Sequence, residues 1–307
     1  MSDLEVVAVG SALVDRLYAL SNLPEPDGGA FVRGETTAFG GVAANVASAL
    51  ARLGRDAGVV SRVGDDADGD RVLADLRERG VDASRVRRGD EPTSYSMILR
   101  DPDGERMIVA GGESVPNLRL REGDYEYLRR ADVIFTSAYA PDRVTRELAA
   151  AHTLPPLVCD LPGPLSELDG RATRPATIDD LAAHCDLLVM NEVSARSYLD
   201  AGPRGSIREL RERGVRRAAI TRGADGALLF DGAAVTEIDA FEVDVVDTTG
   251  AGDAFTAGLI HAWLLEGQPA AEAGRFAAAT AACNCTAEGA RGGLASASDV
   301  RSFLDSR

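Results

Sequence analysis

The residues best suited to chemistry stand together in Val246-Asp247-Thr248-Thr249-Gly250-Ala251-Gly252-Asp253-Ala254-Phe255-Thr256-Ala257-Gly258. An alternating apolar run ahead of them (Phe241, Val243, Val245) reads as a strand, and the small residues behind them (Ala254, Ala257, Gly258, Leu259, Ala262) read as a helix. Gly250-Ala251-Gly252 is then the turn into a helix N-terminus. Glycines let backbone N–H groups approach a ligand with no Cβ in the way. A helix N-terminus offers unpaired donors and the positive end of its dipole, which suits phosphate. Asp253 adds a carboxylate in the first turn, placed to take a proton from an alcohol. An anion cradle beside a carboxylate base is what phosphoryl transfer to a hydroxyl requires. A bare Gly-x-Gly-Asp fits an ordinary turn capped by aspartate equally well; the length of the matching stretch is what favours the chemical reading.

That stretch resembles the C-terminal signature of the ribokinase-like, or PfkB, carbohydrate kinases. A second family signature is matched at Phe39-Gly40-Gly41-Val42-Ala43-Ala44-Asn45-Val46-Ala47. The two occur in the expected order and spacing, and the resemblance covers essentially the whole chain. It implies an α/β fold, a doubly wound, mostly parallel sheet flanked by helices, with a small β-sheet lid. It also implies an ATP- and Mg²⁺-dependent kinase of a small sugar or sugar derivative, in some relatives with K⁺, and a homodimer formed through the lid.

By the same similarity, Asp253 is the base and Gly250, Ala251 and Gly252 form the anion hole. Asp15 and Asn45 hydrogen-bond acceptor hydroxyls, Gly40 and Gly41 allow its close approach, and Tyr95 and Arg106 project from the lid to help choose it. Asn45 taken alone also reads as an amide satisfied near a helix start. Asn191, Thr221, Gly223, Gly226, Ala282 and Gly289 fall on the nucleotide side. Thr221 to Gly226 is by itself an ordinary β-turn sequence, and the alanines from Ala278 to Ala282 suit either a wall for a flat base or a tightly packed helix. Asp247 and the Thr249 carbonyl match a monovalent-cation position, and Asn191 matches one that orders magnesium waters.

The chain also departs from its relatives. Ser194 stands where the family often has the Glu of Asn-x-x-Glu, in Asn191-Glu192-Val193-Ser194. Leu13 replaces the Asn of true ribokinases, whose sugar-binding Glu near Ala140 is also missing. Val109-Ala110-Gly111 replaces the Tyr-x-Arg of 2-keto-3-deoxygluconate kinases. Neither sugar is therefore singled out. A nucleoside kinase on the same scaffold and a catalytically silent sugar-binding regulator are the alternatives. A dinucleotide-binding oxidoreductase would need Gly-x-Gly-x-x-Gly after the first strand, which is absent.

The elements that must position these groups follow from pattern. Val6 to Val9 reads as a buried strand, Phe31 to Phe39 as another, and Gly40-Gly41 opens a helix from Val42 to Leu53 closed by Gly54. A further strand is at Val59-Val60, a helix runs from Asp70 to Arg79, and Thr93–Leu99 with Arg106–Ala110 reads as a hairpin around Asp101-Pro102-Asp103-Gly104. Strands at 133–135, 157–159, 187–189, 218–220 and 227–229 alternate with helices, the signature of a doubly wound sheet. Helices from Ala270 to Cys285 and Ser298 to Leu304 close the chain. The large domain is expected at residues 1–10, 39–91 and 113–307, and the lid at 11–38 and 92–112.

Composition sets the outer limits. The 307 residues are 45% apolar, enough for one substantial core. No apolar run is long enough to span a membrane, and Met1-Ser2-Asp3-Leu4-Glu5 lacks a basic leader, so a cytoplasmic protein is expected. Net charge is −16 and lysine is absent, every basic residue apart from three histidines being arginine. Such a surface argues against nucleic-acid binding and suggests a halophilic protein adapted to a high-salt cytoplasm. Without lysine, neither a Walker A loop nor Schiff-base catalysis is available. Cys159, Cys185, Cys283 and Cys285, with His152, His184 and His261, show no disulfide or metal pattern and are expected to be packing or surface residues.

Overall fold

The computed structural model describes residues 4–168 and 172–307; Met1, Ser2 and Asp3 of the N-terminal stretch lie outside them. Strand β1 (Val6–Val9) is followed by β2 (Leu13–Leu20), β3 (Val32–Gly40), helix α1 (Val42–Arg52), β4 (Ala57–Gly64), α2 (Ala67–Glu78), β5 (Asp82–Gly89), β6 (Tyr95–Arg100) and β7 (Arg106–Gly111). Next come α3 (Glu122–Leu128), β8 (Val133–Ser137), α4 (Asp142–Ala150), β9 (Leu157–Leu161), α5 (Leu165–Leu168), α6 (Pro175–His184), β10 (Leu187–Asn191), α7 (Glu192–Leu199), α8 (Pro203–Glu212) and β11 (Ala218–Thr221). The chain closes with β12 (Ala227–Phe230), β13 (Val235–Ile238), α9 (Ala251–Leu259), a π-helical continuation over Ile260–Leu265, α10 (Ala270–Asn284) and α11 (Ala297–Asp305).

The main sheet has the order β13-β12-β11-β10-β9-β8-β1-β4-β5, parallel from β11 to β5 with two antiparallel strands at one edge. Strand residues alternate between two apolar layers. Ala8, Val59, Phe135, Val158 and Val189 pack toward α1, α9 and α10, whereas Val9, Val60, Ile134, Cys159 and Met190 pack toward α3 to α8. Strand β1 lies between β4 and β8, and the chain leaves the two sides of this point on opposite faces. Doubly wound sheets bind ligands in the crevice beyond the C-terminal strand ends at such a point. Helix α9 presses closely on α10, since a Cβ at Gly258 would sit 2.6 Å from Ala277 Cα. A second sheet, β3-β2-β6-β7, is made by the segments that fit poorly into a βαβ series. Among the described residues no helix is long and apolar enough to cross a membrane.

Four elements differ from the sequence reading. No strand forms over Phe241 to Val245. Phe241 instead meets Phe303 edge-on at 5.3 Å, and the N–H groups of Val246 and Asp247 donate to the Cys285 carbonyl (2.8 and 3.3 Å) rather than to a neighbouring strand. The alternation of valines there leaves Val245 and Val246 half exposed. Strands β5 and β13 escape a hydrophobic pattern because each lies at a sheet edge and carries charged side chains to water. Helix α2 starts at Ala67, earlier than Asp70, because Asp66 caps it by accepting from Gly69 N at 2.8 Å. His261 is a packed residue: burial and the nearby Arg55 guanidinium push its pKa down to about 4.

Candidate active site

The turn into α9 is built as an anion cradle. Gly250 is the N-cap with φ 75°, a left-handed conformation suited to glycine, and a Cβ there would run into the backbone of Ala290. The Ala251 N–H is already used, donating to the Thr248 carbonyl at 3.2 Å. The N–H groups of Gly250, Gly252 and Asp253 have no such partner among the described residues. A Cβ on Gly252 would enter open space, so packing does not demand this glycine and the space before it is free for a ligand.

Asp253, in the first turn of α9, is half-buried and accepts a hydrogen bond from Asn45 Nδ2 at 2.7 Å. Asn45 sits in α1, 6% exposed, and its orientation is fixed from behind. Arg291, 5% exposed, donates from Nε to Asn45 Oδ1 at 2.8 Å and from a terminal nitrogen to the Gly40 carbonyl at 2.9 Å, and it pairs closely with Asp75. Because the guanidinium only donates, Asn45 must turn its oxygen toward Arg291 and its NH₂ toward Asp253. Asp75 also accepts from Arg79 Nε at 2.8 Å, so this buried charge is matched on both sides.

Asp15 reaches the same place from β2 in the small sheet. Its carboxylate lies where a Cβ of residue 40 would stand, so Gly40 makes room for Asp15 rather than for a ligand. Gly41, at φ 95°, has a comparable internal reason, since a Cβ would sit 2.5 Å from the Ser11 carbonyl. Burial lifts the Asp15 carboxyl to about 6, opposed by hydrogen bonding from Ser96 and the charge of Arg291. Burial lifts Asp253 to about 7, opposed by the Asn45 hydrogen bond and Arg291 and reinforced by Asp15. A carboxyl group that titrates near neutrality, beside open amides, is poised to accept a proton and give it up again.

The nucleotide-side candidates stand on several elements. Asn191 and Thr221 are neighbours in register at the C-terminal ends of β10 and β11. The Asn191 amide oxygen is occupied, accepting from Ser194 N and Oγ (2.7 and 2.8 Å), and Nδ2 donates to the Pro162 carbonyl (2.7 Å). Gly223 and Gly289 adopt positive φ and face open space, whereas Gly226 turns tightly against the Ile238 carbonyl. Ala282 is buried in α10. Asp247 accepts from Thr249 N and Oγ1 (2.9 and 2.7 Å) and from Gly289 N (3.0 Å); although burial works the other way, these bonds hold it below the usual carboxylate range. The Thr249 carbonyl accepts from Asn284 Nδ2 at 3.2 Å.

Two lid candidates are not brought to Asp15. Strand alternation puts Ser96 on the Asp15 side of β6, so Tyr95 faces the other way, under the Arg16 guanidinium at 4.3 Å from its ring centre. Arg106 is exposed at the start of β7, opposite Arg100, four pairs beyond Ser96. Sequence reasoning missed Arg291, Asp75, Ser96 and Asp160, the last a buried carboxyl near the end of β9 within reach of the Asp253 charge. The one signal for Arg291 is a lone arginine among the glycines of Gly289-Ala290-Arg291-Gly292-Gly293.

The chain is similar to known proteins over nearly its whole length. An ATP-dependent ribose-1-phosphate kinase of Halopiger xanaduensis is 33% identical over 306 residues, covering 99% of each protein. A nucleoside kinase of Methanothermobacter thermautotrophicus is 27% identical, over 91% of this chain and 88% of its own length. The structure of Arabidopsis thaliana ribokinase complexed with ribose and ATP superposes with a TM-score of 0.85 at 26% identity, covering 99% of both chains. The model of the pfkB family carbohydrate kinases matches residues 3–297, and the chain belongs to that family.

Proposed function

We propose that this protein transfers the γ-phosphoryl group of ATP to a hydroxyl of a ribosyl compound, with Asp253 as the base. The observation that carries the reading is the Asp253 carboxyl, raised to about 7 and held by Asn45 at the mouth of unpartnered amides. The acceptor hydroxyl lies against Asp253, which takes its proton as the oxygen attacks phosphorus. The N–H groups at the Gly250-Ala251-Gly252 turn, chiefly those of Gly250 and Gly252, carry the developing negative charge. Asp15 and Asn45 orient the acceptor above Gly40 and Gly41, while Tyr95 and Arg106 act only through the conformation of the small sheet.

Asn191, Thr221, Gly223, Gly226, Ala282 and Gly289 border the nucleotide. Magnesium bound with ATP would neutralise phosphate charge as the transfer proceeds. Asp247 and the Thr249 carbonyl are the proposed seat of a monovalent cation such as K⁺. The β2, β3, β6 and β7 segments form the lid, and its outward apolar residues, among them Phe31, Val32 and Met107, support pairing with a second copy through that sheet. The enzyme works in the cytoplasm, and its acidic, lysine-free surface supports adaptation to high salt; an unfolding midpoint that fails to rise between low and molar KCl removes that adaptation.

A panel of ribose, ribose-1-phosphate, nucleosides and fructose, read by coupled ADP release, tests the substrate class. Acceptor-dependent ADP release is expected with one or more ribosyl compounds, with ribose-1-phosphate the first choice given the relative that matches over 99% of its length. ADP release that ignores every acceptor would contradict the kinase reading and favour a sugar-binding regulator.

A further inference from the structure

We infer that the cavity at the N-terminal ends of β4 and β5 is a second anion site, suited to a diphosphate group and separate from the crevice described above.

The cavity has a volume of about 610 Å³ and lies among the end of α2, the starts of β4 and β5, and α3. Strands β4 and β5 run parallel, and the cavity touches Ala57, Asp82 and Ser84 at their first residues. It is therefore at the opposite end of the sheet from the C-terminal strand ends, where Asn191 and Thr221 stand. Its positive charge comes from Arg77 on α2, Arg85 on β5 and Arg130 beyond α3. Two carboxylates also line it. Asp82 is engaged, accepting from Ser84 N at 2.8 Å and from the Tyr127 hydroxyl at 3.0 Å, with the Arg130 charge acting on it as well. Asp56 is then left against two guanidinium groups, those of Arg77 and Arg85.

Those two differ from their neighbours. The other arginines of α2, its C-cap and β5 are all paired: Arg71 with Asp68, Arg79 with Asp75, Arg87 with Asp124, and Arg88 with Asp65 and Asp70. Among the described residues Arg77 and Arg85 have neither a hydrogen bond nor an ion pair, and Arg85 only rests against the Tyr127 ring, 5.6 Å from its centre. In a chain with 49 acidic residues and 33 arginines, partners are not scarce. In this part of the molecule, the guanidinium groups that go without one are those that line the cavity. A guanidinium offers a planar set of donors that matches phosphate oxygens two at a time. Positive charge set in a recess draws an anion more strongly than the same charge on an open surface. The volume is that of a small-molecule site rather than of a seat for a single ion.

The test is equilibrium dialysis of radiolabelled pyrophosphate against the full-length protein, with the catalytic crevice filled by a non-hydrolysable ATP analogue. Wild type should bind pyrophosphate stoichiometrically. Combining Arg77→Gln with Arg85→Gln should weaken binding by about tenfold or more. Arg71→Gln, which alters a paired arginine outside the cavity, should leave binding within about twofold of wild type. ADP, tried in the same way, shows whether the diphosphate is taken free or as part of a nucleotide. Thermal unfolding checks the fold of each variant; should the double variant not fold, the single variants are read in its place, each expected to lose part of the affinity. Neither pyrophosphate nor ADP bound beyond the analogue, binding unchanged in the cavity variants, or an equal loss in Arg71→Gln overturns the inference.

Discussion

The two sides of the crevice are built on opposite principles. On the acceptor side, polar groups are held by protein partners: Arg291 holds Asn45, Gly40 and Asp75, Asn45 holds Asp253, and Asp15 fills the space that Gly40 leaves. On the phosphate side, the amides of Gly250, Gly252 and Asp253 are open, and Gly252, Gly223 and Gly289 face empty space. The first side is preorganised by the protein's own hydrogen bonds, and the second is left unsatisfied for a ligand to complete. Asp253 sits on the boundary, where the proposed base would address both reactants.

The strongest way to break this comparison is Asp253→Asn. We expect kcat to fall by roughly 10²–10⁴, with ATP affinity little changed, measured by steady-state kinetics and calorimetry. The same variant should be the more stable protein above neutrality. The folded Asp253 titrates near 7 against an ordinary 3.8, so its protonated form is the one that folding favours. The wild type therefore loses stability as pH rises from about 4 to about 7, and the variant loses less, Asp15 being the raised carboxyl that remains in it. Melting curves across that window should diverge and then run parallel above it.

Next in size is Arg291→Met. It removes the restraint on Asn45 and strands the Asp75 carboxylate beside Arg79 alone, so kcat/KM should fall by about 10–100-fold, with a lower melting temperature. Arg291→Lys keeps the charge and should recover part of both; equal kinetics for the two variants would mean that Arg291 does not act on the site by charge.

The smallest effects sharpen the contrast between glycines. Gly40→Ala should lower stability and acceptor affinity together, because its Cβ displaces Asp15. Gly252→Ala should leave the melting temperature unchanged or slightly raised, by up to about 1 kcal/mol of helix preference, yet reduce kcat by crowding the phosphate. Loss of stability in Gly252→Ala would show that this turn is a structural device.

Much of this was legible in the sequence, for reasons of locality. The sheet strands are short buried runs with period and flanking turns, and the turn at Gly250 to Asp253 combines glycine, a helix start and a carboxylate within four residues. The pairing that sets up the acceptor side was not legible. Arg291 meets Asn45 across 246 positions and Asp75 across 216, and no local pattern announces such contacts. Asp160 was hidden for a related reason: within Leu157–Leu161 it reads as the polar end of a strand, and only the layer that Val158 joins tells which way it points. Phe241 to Val245 misled because alternation signals a strand only when a neighbour offers a ladder.

The most direct test of the central claim is the pH dependence of kcat/KM with the best acceptor. The account predicts an acid limb with a midpoint near 7, steepening below about 6 as Asp15 also takes a proton, and moved to higher pH in Arg291→Met, where a charge that lowers Asp253 is gone. A profile flat from pH 5 to 8, or a midpoint near 4 in both proteins, would contradict it.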